Sequence, residues 1–167
     1  MDNNLHGTMV LADREMAAAN DRKLQLRVWV RLLTCSRMIE AGIRARLRAE
    51  FATTLARFDV LAQLDAARGE LSMGELSARL MVTNGNVTGL IAGMEADGLV
   101  ARLPHPTDGR STLIGLTPEG HALFDHMAPA HQGWIEHMVR RLSPSEMGLL
   151  FELLGKLKDS VRASDSS

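Results

Sequence analysis

The sequence predicts a mainly α-helical protein that carries one small β-hairpin. Three observations lead there. Apolar residues recur at helical spacing along most of the 167 residues. Helix start signals of the Ser-x-x-Glu type occur at Ser72–Glu75 and at Ser143–Glu146. One stretch, Val100 to Leu116, reads instead as two strands, Val100–Leu103 and Ser111–Leu116. The run between them, Pro104-His105-Pro106-Thr107-Asp108-Gly109-Arg110, is rich in turn residues.

Residues 1–20 are polar or Ala-rich and read as a loose N-terminal segment. A long helix is predicted from Asp21 to Phe51. Leu24, Val28, Leu32, Cys35, Ile39 and Ile43 form one apolar stripe, and Leu26, Val30 and Leu33 lie nearly opposite. Such a helix is expected to be buried on two sides, between its own domain and a partner subunit. Thr54 caps a second helix in which Phe58, Leu61, Ala62 and Leu64 face inward, and Arg68-Gly69-Glu70 is a loop. The capping box of Ser72 and Glu75 opens a helix at Met73, with Leu76 and Leu80 on one face. Met81-Val82-Thr83 breaks that pattern, and Thr83 can cap the next helix. There Val87, Leu90, Ile91 and Met94 recur as an inward stripe, and Gly98 is the stop.

Past the hairpin, Thr117-Pro118 supplies a cap and a proline at the first helical position. Phe124, Ala128, His131, Ile135, Met138 and Leu142 form the next stripe, with Pro129 inside it and expected to kink the helix. Met147, Leu150, Leu154, Leu157 and Val161 then follow as a heptad seam. Leu149, Phe151 and Leu153 add apolar surface on other sides of that helix. One small domain rarely buries a helix all round, so dimerisation through both chain ends is expected. The organisation is therefore a helical dimerisation region, 21–53 and 118–163, around a reading region, 54–117.

Two short helices joined by a tight turn and followed by a ribbon make a winged helix-turn-helix, which points to DNA as the partner. The outward positions of the second helix are Asn84, Gly85, Asn86, Thr88 and Gly89. A merely solvated helix would carry Lys and Glu there. Small hydrogen-bonding residues suit close approach to base edges, since Asn can pair with adenine and Thr can touch a thymine methyl. Arg110 is placed in the minor groove, with Asp108 steering its guanidinium; the alternative is that the two only pair with each other at a loop tip. The candidate DNA-binding residues are Ser72, Thr83, Asn84, Asn86, Thr88, Asp108 and Arg110.

GELSARLMVTNGNVTGLIAGMEADGLV, the Asp108-Gly109-Arg110 tip and Leu116-Thr117-Pro118-Glu119-Gly120 together resemble the MarR family of transcriptional regulators. The likeness runs over about residues 28–162. It implies a dimeric winged-helix protein whose recognition helix starts at Asn84 and whose wing arginine is Arg110. It also implies a repressor on a pseudo-palindromic operator, released by a small molecule or an oxidant.

Composition agrees. A chain of this size suits one domain, and 46% hydrophobic residues suffice for a core. No run approaches the ~20 apolar residues of a membrane span, and no signal peptide is visible, so a cytoplasmic location without membrane contact is expected. One cysteine excludes an internal disulfide. A net charge of -1 argues against indiscriminate DNA binding and for modest, salt-sensitive affinity. No phosphate loop, nucleophile elbow or HExxH occurs, so neither an enzyme nor a cofactor is expected. His121, His126, His131 and His137 fall in one predicted helix at spacings of five and six, which scatters them; no metal site is expected.

Control by a small ligand is the expectation, with Cys35, Met38, Ile39, Phe58, His131 and Trp134 as the pocket residues. Each of these also reads as plain core. LLTCSRMIEAGIRARLR and MAPAHQGWI resemble stretches of family members tied to aromatic-acid breakdown, which implies an aromatic acid or its coenzyme A thioester as effector. Arg37, Arg44 and Arg48 share one helix face that can receive an anion or simply be solvated. Two alternatives stand beside this reading. One is a winged-helix interaction adaptor without DNA binding. The other is a redox regulator using Cys35, against which stand its apolar stripe, where core packing is expected, and the absence of Tyr.

Overall fold

The computed structural model describes residues 24–81, 84–105 and 112–164, with the side chain of Asn84 also outside the description. Thr83, Asp108 and Arg110, the strand start Ser111 and the loose segment 1–20 thus lie outside the described residues. The elements are α1 (Leu24–Phe51), α2 (Leu55–Ala67), β1 (Leu71–Ser72), α3 (Met73–Leu80), α4 (Asn84–Ala96), β2 (Val100–Pro104), β3 (Thr112–Leu116), α5 (Pro118–Val139) and α6 (Pro144–Ser164). The chain divides into two compact units, one ending at His131 and one beginning at Gln132.

The first unit builds its core from the periodic apolar positions. Phe58, Val60, Leu61 and Leu64 of α2, Leu76 of α3, Val87, Ile91 and Met94 of α4, Val100 of β2 and Ile114 of β3 are all buried. Val60 is an addition to the expected α2 set, while Ala62 is half-buried. Two buried hydroxyls are satisfied within their own helices. Thr34 Oγ1 donates to the Val30 carbonyl at 2.9 Å and Ser77 Oγ to that of Met73 at 2.8 Å.

The sheet has three strands in the order β1-β3-β2, all antiparallel. This corrects the two-stranded hairpin expected above. Leu71 and Ser72 pair with Ile114 and Leu113, so the capping serine of α3 is also a strand residue. A two-residue strand is too short to carry a period-2 pattern, which hid it in the sequence.

Two glycines have backbone reasons. Gly98 ends α4 with φ +73, a conformation that other residues reach only at a cost. A Cβ on Gly120 would stand 2.0 Å from the Leu99 carbonyl oxygen. The first turn of α5 therefore lies directly on the chain that leaves α4. Thr117 fixes the same junction: its Oγ1 donates to the Gly98 carbonyl at 2.6 Å and accepts from the Gly120 amide at 3.0 Å. Pro129 sits inside α5, which continues through it to Val139.

The long helix α1 is expected to be buried between its own domain and a partner subunit, and a single protomer shows only the first of these two covers. Within the protomer only Thr34, Ile43 and Leu47 are buried, whereas Leu24, Leu26 and Val28 are exposed. The helix α6 has no buried residue at all.

Candidate nucleic-acid interface

The reading head starts from the capping box. The Ser72 amide donates to Glu75 Oε2 at 2.8 Å, its hydroxyl donates to the same oxygen at 2.7 Å, and the Glu75 amide donates back to Ser72 Oγ at 3.2 Å. These bonds to Ser72 hold the Glu75 carboxyl below the usual carboxylate range. The Ser72 hydroxyl is thus engaged at the start of α3. Helix α3 ends at Met81, which takes a left-handed conformation (φ 53) with its amide on Ala78 and Ser77 carbonyls, so the chain turns sharply toward α4.

Helix α4 presents two faces. Val87, Ile91 and Met94 are fully buried and Leu90 half-buried, which fixes the helix against α2 and α3. Gly85, Asn86, Thr88 and Gly89 are exposed. Small residues on that face leave the backbone open to close approach: a Cβ on Gly85 or Gly89 would meet nothing within 4 Å. Two ion pairs, not read from the sequence, hold the far end. Arg57 of α2 pairs with Asp97, and Arg102 Nε of β2 donates to Glu95 Oε2 at 2.9 Å. Only spatial neighbourhood, not spacing, brings these partners together. The ribbon β2–β3 follows in register from Val100↔Leu116 to Pro104↔Thr112.

The expected ligand residues are distributed unevenly. Phe58 and His131 come together as a stacked pair, ring centroids 4.5 Å apart, with Phe124 on the same Phe58 ring at 5.8 Å. Burial lowers the His131 pKa, which favours the neutral imidazole. Ile39 is half-buried, and Met38 is exposed. Trp134 is buried and belongs to the second unit. Cys35 corrects the expected core packing: its thiol is exposed, because in this half of α1 the protomer covers only the Thr34 side. Among the described residues no group of three or more His, Cys, Asp or Glu can hold a metal ion, and no helix is long and apolar enough to cross a membrane.

A sequence profile of the MarR family matches residues 53–111. The chain is 32% identical over 164 residues to the transcriptional activatory protein BadR of Rhodopseudomonas palustris, covering 93% of each protein. Its fold is similar to that of an E. coli MarR mutant complexed with operator DNA. The TM-score there is 0.71 at 26% identity, over 83% of this chain and 99% of that one. It is also similar to BpsR of Bordetella bronchiseptica, whose DNA binding is regulated by 6-hydroxynicotinic acid. That match has a TM-score of 0.70 at 26% identity, over 79% of this chain and 98% of that one. Capping box, left-handed turn, small polar face and ribbon, together with a relative alike along nearly its whole length, identify the chain as a member of the MarR family, a DNA-binding transcriptional regulator and not an enzyme.

Proposed function

We propose that the protein is a cytoplasmic homodimeric repressor of a pseudo-palindromic operator, released by a small aromatic acid or its coenzyme A thioester. The observation that carries the DNA part is the outward face of α4. It exposes Gly85, Asn86, Thr88 and Gly89, where a solvated helix would carry long charged side chains. In this proposal Ser72, Thr83, Asn84, Asp108 and Arg110 are the further DNA-contacting residues, as expected from the sequence. Two heads of one dimer ask for half-sites about one helical turn apart.

The effector part is supported by the Phe58–His131 stack, which offers a planar surface and a neutral imidazole to a ring bearing a polar group. BpsR, regulated by a hydroxylated aromatic acid, is a relative in fold and sequence. For a thioester, Arg37 and Arg48 are exposed on α1 beside Arg44, which donates to Glu40 at 3.2 Å. A ligand acts by binding the DNA-incompetent state more tightly; a thirtyfold preference corresponds to about 2 kcal/mol of coupling. BadR is named for activation. One binding geometry serves either sign, because occlusion or recruitment depends on where the operator lies.

Footprinting upstream of the protein's own gene tests the first part, and a reporter fused to that promoter tests the sign. Arg110→Ala is expected to lower the salt slope by about one. Asn86→Ala or Thr88→Ala is expected to change sequence preference by ~1–3 kcal/mol per lost base contact. Anisotropy of the DNA complex against benzoates, hydroxycinnamates and their thioesters tests the effector. The exposure of Cys35 favours one second reading, release by oxidation. Dissociation by peroxide that vanishes in Cys35→Ser, with no response to any acid, replaces the ligand by the redox mechanism.

A further inference from the structure

We infer that a cavity between α2 and α4 binds a small organic cation, a single ring or short alkyl body bearing an ammonium or amidinium group, with Asp59 as its counter-ion. The cavity, of about 420 Å³, is distinct from the Phe58–His131 stack. Ala56 and Asp59 of α2, Leu80 at the end of α3, and Asn86, Val87 and Leu90 of α4 line it. That volume falls in the ~300–1,000 Å³ range of small-molecule sites, at its small end.

The charge of the occupant follows from the walls. Among the described residues of the wall Asp59 is the single ionisable side chain, and the rest is mostly apolar. Burial pushes its carboxyl up, the guanidinium of Arg44 pulls it down, and the carboxylate of Glu40 pushes it up again. Arg44 donates its hydrogen bond to Glu40 at 3.2 Å and acts on Asp59 only through space. Among the described residues none hydrogen-bonds to Asp59. A half-buried carboxylate without a donor, set in an apolar wall, gains most from a ligand that brings positive N–H groups. A carboxylate ligand would instead place like charges together. Asn86 adds one amide that can orient the bound group.

Occupancy couples to DNA through α4, and this part rests on reading α4 as the DNA-contacting helix. Three of the lining residues belong to α4, and Asn86 stands both on the cavity wall and among the exposed positions offered to base edges. A cation that engages Asn86 withdraws it from the operator, so it binds the free protein more tightly than the complex.

Calorimetry on the full chain with benzamidinium and phenethylammonium, against benzamide and benzoate as neutral and anionic counterparts, tests the site. The cations are expected to bind once per protomer, about tenfold or more tighter than benzamide or benzoate. Asp59→Asn, which keeps the shape, is expected to erase that preference at an unchanged circular dichroism spectrum. Ala56→Phe is expected to fill the cavity and abolish binding. Equal binding of benzoate, absence of cation binding, or cation binding untouched by Asp59→Asn overturns the inference. Operator anisotropy is measured separately, with benzamidinium expected to weaken the wild-type complex and not the Asp59→Asn complex. If wild-type protein shifts no operator while calorimetry still shows Asp59-dependent binding, the reading of α4 fails and the cation site stands.

Discussion

The helix of the reading head and the C-terminal helix begin with the same device and meet opposite fates. Ser143 repeats the box of Ser72 bond for bond. Its amide and hydroxyl donate to Glu146 Oε2 at 2.8 and 2.7 Å, and the Glu146 amide returns a bond at 3.3 Å. After the first box Leu76 is completely buried; after the second, Leu150, Leu154 and Leu157 remain 40% exposed and Phe151 80%. A cap fixes where a helix starts but not what covers it. The first unit supplies its own cover. Among the described residues none covers the heptad seam of α6, and this exposed apolar surface supports the proposal that α6 meets a partner subunit.

The largest effect that tests this contrast comes from charging the seam. Leu150→Glu with Leu154→Glu is expected to leave a folded monomer and to weaken operator binding about a hundredfold or more, because two linked heads bind with avidity. Analytical ultracentrifugation and anisotropy read both quantities. A double variant that stays dimeric would move the interface away from α6. In the reading unit the corresponding lesion is Gly120→Ala. The added methyl meets the Leu99 carbonyl, so backbone must shift, at a cost of ~1–3 kcal/mol that does not depend on protein concentration. A wild-type melting curve for Gly120→Ala would show that the α4–α5 junction is slack.

The same contrast explains what could be read in advance. Both capping boxes, the inward stripe of α4, the stop at Gly98 and the cap at Thr117 were legible because each is a local pattern with a local cause. The ion pairs Arg57–Asp97 and Arg102–Glu95 were not, since they join groups from different elements. Strand β1 escaped for its length. The exposure of Cys35 was misjudged for a different reason. Periodicity reports that a stripe is apolar, and a stripe meant for a partner subunit looks the same as one meant for the core. The Asp59 cavity is a product of three helices, and no spacing announces it.

A smaller effect separates the two caps. Ser72→Ala and Ser143→Ala each remove a side-chain acceptor from a helix start, typically ~1 kcal/mol. The first is expected to lower the global unfolding free energy of the reading unit. The second is expected to fray α6 and to appear as weaker dimerisation, so its melting point depends more steeply on concentration. Equal, concentration-independent losses in both would mean that α6 folds as part of the same cooperative unit.

The smallest effect is a pH dependence from His131. Burial lowers its pKa in the folded state below the usual 6.5, while in the unfolded chain it titrates normally. As pH falls through about 6.5 the unfolded chain takes up this proton first. Folding stability therefore declines from there and levels off once the pH is below the folded-state value. His131→Phe keeps a ring against Phe58 and removes the titration. Urea midpoints between about pH 7.5 and about pH 5.5 are expected to drop in the wild type and to drop less in the variant. Asp59, whose folded-state carboxyl is raised, contributes the opposite sign at lower pH, but it is present in both proteins and cancels in the difference. Parallel pH slopes would show that water reaches His131 in solution and that the Phe58 stack is open on that side. A planar effector would then have a ready approach to the imidazole without opening the core.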